Sequence, residues 1–189
     1  SGPGGSGKTR LAIQAAASLM ERSPDRFPDG AFFVPLAPLE SASSLVPVIA
    51  EALDFSFYKE NYNHRRQLID FLRPRRMLLV LDNYEHLLEG DGIDLPVEIM
   101  KSAPGVSLLV TSRTRLNVQG EQLFPVAGMQ TPPVELEEWG LLSSELAEAY
   151  SAVSLFVQSA RRTRPDFRLT DENILQVVQI CRLVQGMPL

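Results

Sequence analysis

Cysteine is nearly absent. A single residue, Cys181, occurs among 189 and cannot close an internal disulfide, so stability must come from a packed core, and a reducing, cytoplasmic setting is the simplest expectation. Long apolar runs are missing too: the longest is five residues, Met77 to Leu81, against the roughly 20 that a membrane-spanning helix needs. Basic residues are in short supply, with 18 Lys and Arg against 23 Asp and Glu and a formal charge of -5. That balance excludes a chain built chiefly to neutralise nucleic-acid phosphates. Only two histidines occur, His64 and His86, and neither has ligand spacing to Cys181 or to the other, so no zinc site is expected. No fixed-period repeat and no low-complexity tract is visible.

What remains is an ordinary globular composition, 44% hydrophobic and 22% charged, sufficient for one α/β domain with a small appendage. Ser6 to about Glu21 carries Leu11, Ile13, Ala16, Ala17 and Met20 with no Pro or Gly after Gly7 and predicts a helix springing from a glycine loop. Ala31 to Leu36 predicts a strand; Ser43 or Ser44 caps a helix through Ala52; Tyr62 to Leu72 predicts another. Met77 to Leu81 is continuously apolar, the pattern of a strand buried on both faces, Val106 to Thr111 (Val-Ser-Leu-Leu-Val-Thr) repeats that pattern, and Gln122 to Val126 reads as a further, weaker strand. From Ala127 the texture changes. Pro132, Pro133, three glutamates and Trp139 break any period, and residues 131–144 read as a linker. Beyond it, Leu146, Tyr150, Val153, Val157 and Ala160 form one helical stripe, and Ile174, Val177, Val178, Cys181 and Val184 form another with Thr170 as N-cap. The expected organisation is a nucleotide-binding core over 1–130, the linker, and the start of a helical subdomain over 145–189.

Strands alternating with helices imply a parallel sheet covered on both faces, and in such sheets ligands gather at the carboxyl ends of the strands. Three features meet that rule. Gly2-Pro3-Gly4-Gly5-Ser6-Gly7-Lys8-Thr9 matches G-x-x-x-x-G-K-[ST] in full, a match expected by chance in on the order of one such chain in a hundred. Its glycines let backbone N–H groups turn inward around phosphate oxygens at a helix N-terminus. Lys8 would reach the β- and γ-phosphates and Thr9 would offer a hydroxyl to Mg²⁺. Arg10 follows directly and is counted with the nucleotide-facing residues. Met77 to Asp82 is an apolar strand ending in a carboxylate, the partner such a loop needs to hold Mg²⁺ through water. Asn83 stands where a second acid often orients attacking water, and Glu85 is the candidate to replace it. Finally, Val110-Thr111-Ser112-Arg113 puts an arginine at the next strand end, where it would report the γ-phosphate, with Arg115 as a weaker candidate.

The ordered set of residues 2–9, Leu-Val-Leu-Asp-Asn-Tyr-Glu-His-Leu (79–87), Leu-Leu-Val-Thr-Ser-Arg (108–113) and Gly-Met-Pro-Leu (186–189) resembles the STAND class of signal-transduction ATPases. More narrowly, it resembles the NB-ARC-like modules of bacterial transcriptional regulators of the LuxR and SARP kinds, with further similarity at 120–126 and 152–157. The resemblance implies a P-loop parallel sheet of the ASCE type followed by a small helical domain whose Gly-x-Pro element packs against adenine. On that basis Pro188, with Met187 beside it, becomes an adenine-side contact. It also implies an ADP-locked state opened by ATP, with self-association or an effector domain as the output and DNA contacted only through other domains. The sequence begins inside the glycine run, without an initiator Met, and reads as a piece of a longer chain whose first strand lies ahead of residue 1 and whose winged-helix domain lies beyond 189. The expectation is a switch with slow Mg²⁺-dependent ATP hydrolysis; a metabolic P-loop kinase or a non-hydrolysing ADP-bound scaffold are the alternatives.

Overall fold

A computed structural model describes residues 1–58, 63–138 and 140–188, so Tyr62, Trp139 and Leu189 of the sequence reading lie outside the described residues. The backbone divides into two compact units. One holds Ser1–Gly2 and Lys8–Pro125; the other holds Pro3–Gly7 and 126–189.

The first unit is built on three parallel strands in the order β1 (Ala31–Pro35), β2 (Leu78–Asp82) and β3 (Ser107–Val110). Parallel neighbours need crossovers, and helices supply them: α2 (Leu45–Ala52) and α3 (His64–Leu72) between β1 and β2, then α4 (Asp94–Ser102) between β2 and β3. No helix is named from the sequence between Leu81 and Val106, though the parallel β2–β3 connection requires an element there; α4 supplies it, burying Leu95, Pro96 and Ile99. Alternation along β2 explains its unbroken apolar run. Leu78 and Val80 face α1 (Lys8–Arg22) in a small cluster with Ala12, Ala16 and Phe27, while Leu79 and Leu81 enter the larger core with Val34, Ile49, Leu72 and Ile99.

Local details differ from expectation in instructive ways. The buried face of α1 runs through Ala12 and Ala16, and Leu11 and Ile13 are exposed, because small side chains bring the helix close to the sheet. α3 begins at His64, capped by Asn63, whose side chain accepts from the Arg66 N–H at 3.2 Å. Neither Ser43 nor Ser44 caps α2 with its side chain; a single 3₁₀ turn, Ala42–Ser44, leads into that helix instead. Residues 122–126 form no strand; they have no ladder partner among the described residues.

The second unit is helical, with α5 (Val134–Glu138) inside the segment read as linker, then α6 (Ser144–Glu148), α7 (Ser151–Thr163) and α8 (Ile174–Leu183). The stripe expected from Leu146 to Ala160 is split between α6 and α7, and Leu146 is exposed. Val153, Val157, Ile174, Val177, Val178 and Cys181 form the core, and burial pushes the Cys181 thiol up, away from thiolate chemistry. Thr170 does not cap α8 through its side chain; its backbone N–H is taken by the Asn173 carboxamide at 2.9 Å while a turn over 171–173 precedes the helix. Arg182 ties α8 to the α5 region, donating to Glu137 at 2.6 Å and to the carbonyls of Pro132 and Pro133.

After α8 the chain reverses through Gln185 and Gly186, both in the left-handed region (φ 52° and 68°). The Met129 N–H donates to the Gly186 carbonyl at 2.8 Å, so the extended segment around 128–129 holds the terminal Gly-Met-Pro. A Cβ on Gly186 would lie 2.1 Å from the Met129 oxygen. Gly186→Ala is therefore expected to cost roughly 2 to 4 kcal/mol. Gly90→Ala shares a positive φ but meets nothing within 4 Å, and should cost only about 1 kcal/mol. Urea unfolding of the two variants checks this, and equal losses would show that the close approach at Gly186 is unimportant.

Candidate phosphate-binding site

The register of the sheet levels the carboxyl ends of its strands, pairing Pro35 with Asp82 and Leu81 with Val110. One residue further on, the Thr111 N–H donates to the Leu81 carbonyl at 3.0 Å, which sets Thr111 beside Asp82. The two side chains meet: the Thr111 hydroxyl donates to Asp82 Oδ1 at 2.6 Å. The Thr9 hydroxyl, from the first turn of α1, donates to the same oxygen at 2.7 Å. Thr111 Oγ1 in turn accepts from the Asn83 N–H at 2.9 Å. Asn83 itself sits at φ +67°, a left-handed conformation that Asn tolerates better than most residues. Tyr84 is fully buried beneath, its hydroxyl donating to the Gly92 carbonyl at 2.6 Å, and burial pushes its phenol far above the ordinary range, so it remains protonated.

Lys8 reaches back over the start of the loop, its Nζ donating to the Gly2 carbonyl at 2.8 Å, and the Gly2 N–H donates to the Ser112 carbonyl at 3.2 Å. In the other unit, Gly5 and Gly7 take φ of 75° and 82°, which only glycine adopts without strain. Ser6 is buried, and both its N–H and its hydroxyl donate to the Pro3 carbonyl, closing a tight turn that exposes Gly4 and Gly5. Pro188 packs against this turn, its Cγ lying 3.1 Å from where a Gly7 Cβ would stand. Met187, half-buried, follows the Gly186 reversal.

Arg113 and Glu85 were expected as separate functional groups, and the structure couples them. Arg113 Nε lies 2.9 Å from Glu85 Oε1, and the Arg113 N–H donates to Glu85 Oε2 at 3.3 Å. The guanidinium side chain is 65% exposed and the glutamate 18%, so the acid is the anchored partner. Arg10 and Arg115 are exposed and make no hydrogen bond or ion pair among the described residues. Thr111 was not assigned a role from sequence, where it read only as the first residue of a polar pair; its signal was its position immediately after the apolar run of residues 108–110.

The donor set is all oxygen, which suits Mg²⁺. Because both threonines spend their proton on Asp82 Oδ1, the Thr9 oxygen keeps its lone pairs for a cation and Oδ2 is left to accept from water. The chain is similar to mycobacterial regulators. It is 35% identical over 188 residues to proteins of Mycobacterium tuberculosis and Mycobacterium bovis named as HTH-type transcriptional regulators, spanning all of this chain and 18% of theirs. An uncharacterised M. tuberculosis protein is 29% identical over the same span, 42% of its length. Among solved structures, Cdc6p from Pyrobaculum aerophilum aligns over 79% of this chain and 42% of its own, at 17% identity and a TM-score of 0.47. No family model matches. No helix among the described residues is long and apolar enough to cross a membrane.

Proposed function

We propose that this chain is an ATP- and ADP-binding regulatory module of the STAND kind, working within a transcriptional regulator. The observation that supports the reading is the convergence of the Thr9 and Thr111 hydroxyls on Asp82, with Thr9 next to Lys8 in the glycine-loop motif. In this reading Gly2, Gly4, Gly5, Ser6, Gly7, Lys8 and Thr9 bind phosphate, Thr9 and Asp82 hold the metal, and Met187 and Pro188 flank the base. Mg²⁺, when bound, neutralises charge on the phosphate oxygens. Slow turnover is supported by two residues: Asn83 carries an amide where a base would serve, and the Glu85 carboxylate is spent on Arg113. A module that hydrolyses slowly dwells in each nucleotide state long enough to act as a switch, its output set by differential affinity for one phosphate. That output would pass to a DNA-binding part of the whole regulator or to self-association.

Calorimetric titration of the protein with Mg·ATP and with ADP tests the proposal. Binding of both, with distinct affinities and slow phosphate release, is the expected result. Absence of binding to either nucleotide would overturn it, and acceptor-dependent phosphate transfer would replace it with a kinase.

A further inference from the structure

We infer that Thr111 is a positioning residue for the metal side of this site, controlling which oxygen of Asp82 is offered to a bound cation; the inference rests on the nucleotide-binding reading above. A hydroxyl has one proton to give. Thr111 gives its proton to Asp82 Oδ1 at 2.6 Å, and its lone pair takes the Asn83 N–H at 2.9 Å. Its proton and one of its two lone pairs are thus committed to Asp82, which ends β2, and to Asn83, which follows it. The side chain is 4% exposed, so water has little access to replace it.

The consequence concerns the rotation of the carboxylate. With Thr9 alone as donor, Asp82 could turn about its terminal bond, since that torsion is soft and two-fold. A second donor on the same oxygen, fixed to the neighbouring strand by the Thr111 N–H to Leu81 carbonyl bond, pins Oδ1 and points Oδ2 away as a water acceptor. The bond to Asn83 adds a second restraint, because it holds the left-handed residue that immediately follows the carboxylate. Groups that orient metal-binding carboxylates in this way typically change metal affinity by about 10- to 100-fold when removed. The phosphate contacts proposed for Lys8 and the loop N–H groups would use no atom of Thr111.

The two effects are separable. Thr111→Val keeps the shape and removes the hydroxyl; Thr111→Ser restores it. Mn²⁺ binding to the ADP-loaded protein, followed by electron paramagnetic resonance, and ADP binding in EDTA, followed by calorimetry, give two readouts independent of turnover. Thr111→Val is expected to weaken Mn²⁺ about 10-fold or more while metal-free ADP affinity stays within about twofold, and Thr111→Ser to bind Mn²⁺ like the wild type. Should Thr111→Val fold poorly by circular dichroism, Thr111→Ala makes the same comparison. Equal loss of metal-free and metal-dependent binding, or Mn²⁺ affinity unchanged in the hydroxyl-free variants, would overturn the inference. If the wild type binds neither ADP nor Mn·ADP, the nucleotide reading itself fails, and this assignment with it.

Discussion

Lys8→Ala is expected to lower affinity for both ATP and ADP by about 100-fold or more. The ammonium is the formal positive charge of the motif, and its Nζ donates to the Gly2 carbonyl at 2.8 Å. A charge-assisted hydrogen bond to a phosphate oxygen contributes about 1.5 to 3 kcal/mol, and a factor of ten in affinity is about 1.4 kcal/mol. Its loss also removes long-range attraction for a polyanion in a chain whose net charge is -5. Lys8→Arg should not rescue fully, since a planar fork does not replace a compact ammonium in a turn of this size. Calorimetry with each nucleotide reads the effect, and unchanged affinity in Lys8→Ala would remove the loop from the site.

Arg113→Ala is expected to narrow the gap between ATP and ADP affinity by about tenfold, acting on ATP alone. The pairing with Glu85 decides how this group can work. An ion pair with one partner 65% exposed contributes at most about 1 kcal/mol, whereas a guanidinium on a phosphate gives more, so a third phosphate can draw Arg113 away from Glu85. Glu85→Gln separates the two roles offered for the acid. If Glu85 is the counter-ion of Arg113, its neutralisation should strengthen ATP binding a few-fold and leave ADP unchanged. If it is instead the general base, phosphate release should collapse with affinities unaltered. A double variant in which the two effects simply add would show that the residues act independently. A preserved gap in Arg113→Ala would end its role as reporter of the γ-phosphate.

Both predictions draw on residues that were visible before any coordinates. The glycine run, Lys8, Thr9 and Asp82 announce themselves because their chemistry is local: a loop needs glycines at consecutive positions and a strand must end in its acid. Helices α1, α2, α3, α7 and α8 and the three strands were legible for the same reason, since hydrophobic period is a property of neighbours in sequence. α4, which buries Leu95, Pro96 and Ile99, was not named from the sequence, although the parallel β2–β3 connection requires an element there. The strand read at 122–126 failed because a strand exists only with a partner, which period alone does not supply.

Sequence by itself thus determined an α/β chain with a glycine-rich G-x-x-x-x-G-K-[ST] motif, an acidic strand end, a helical C-terminal part and no apolar run long enough to span a membrane. Only the tertiary structure decided that Thr111 shares an oxygen of Asp82 with Thr9, that Glu85 is bound to Arg113, and that Pro188 lies against Gly7. These partners are separated by 28 to 181 positions. Sequence pattern encodes what each stretch of chain prefers, whereas pairing across such distances follows from strand register and core packing, which exist only once the chain has folded.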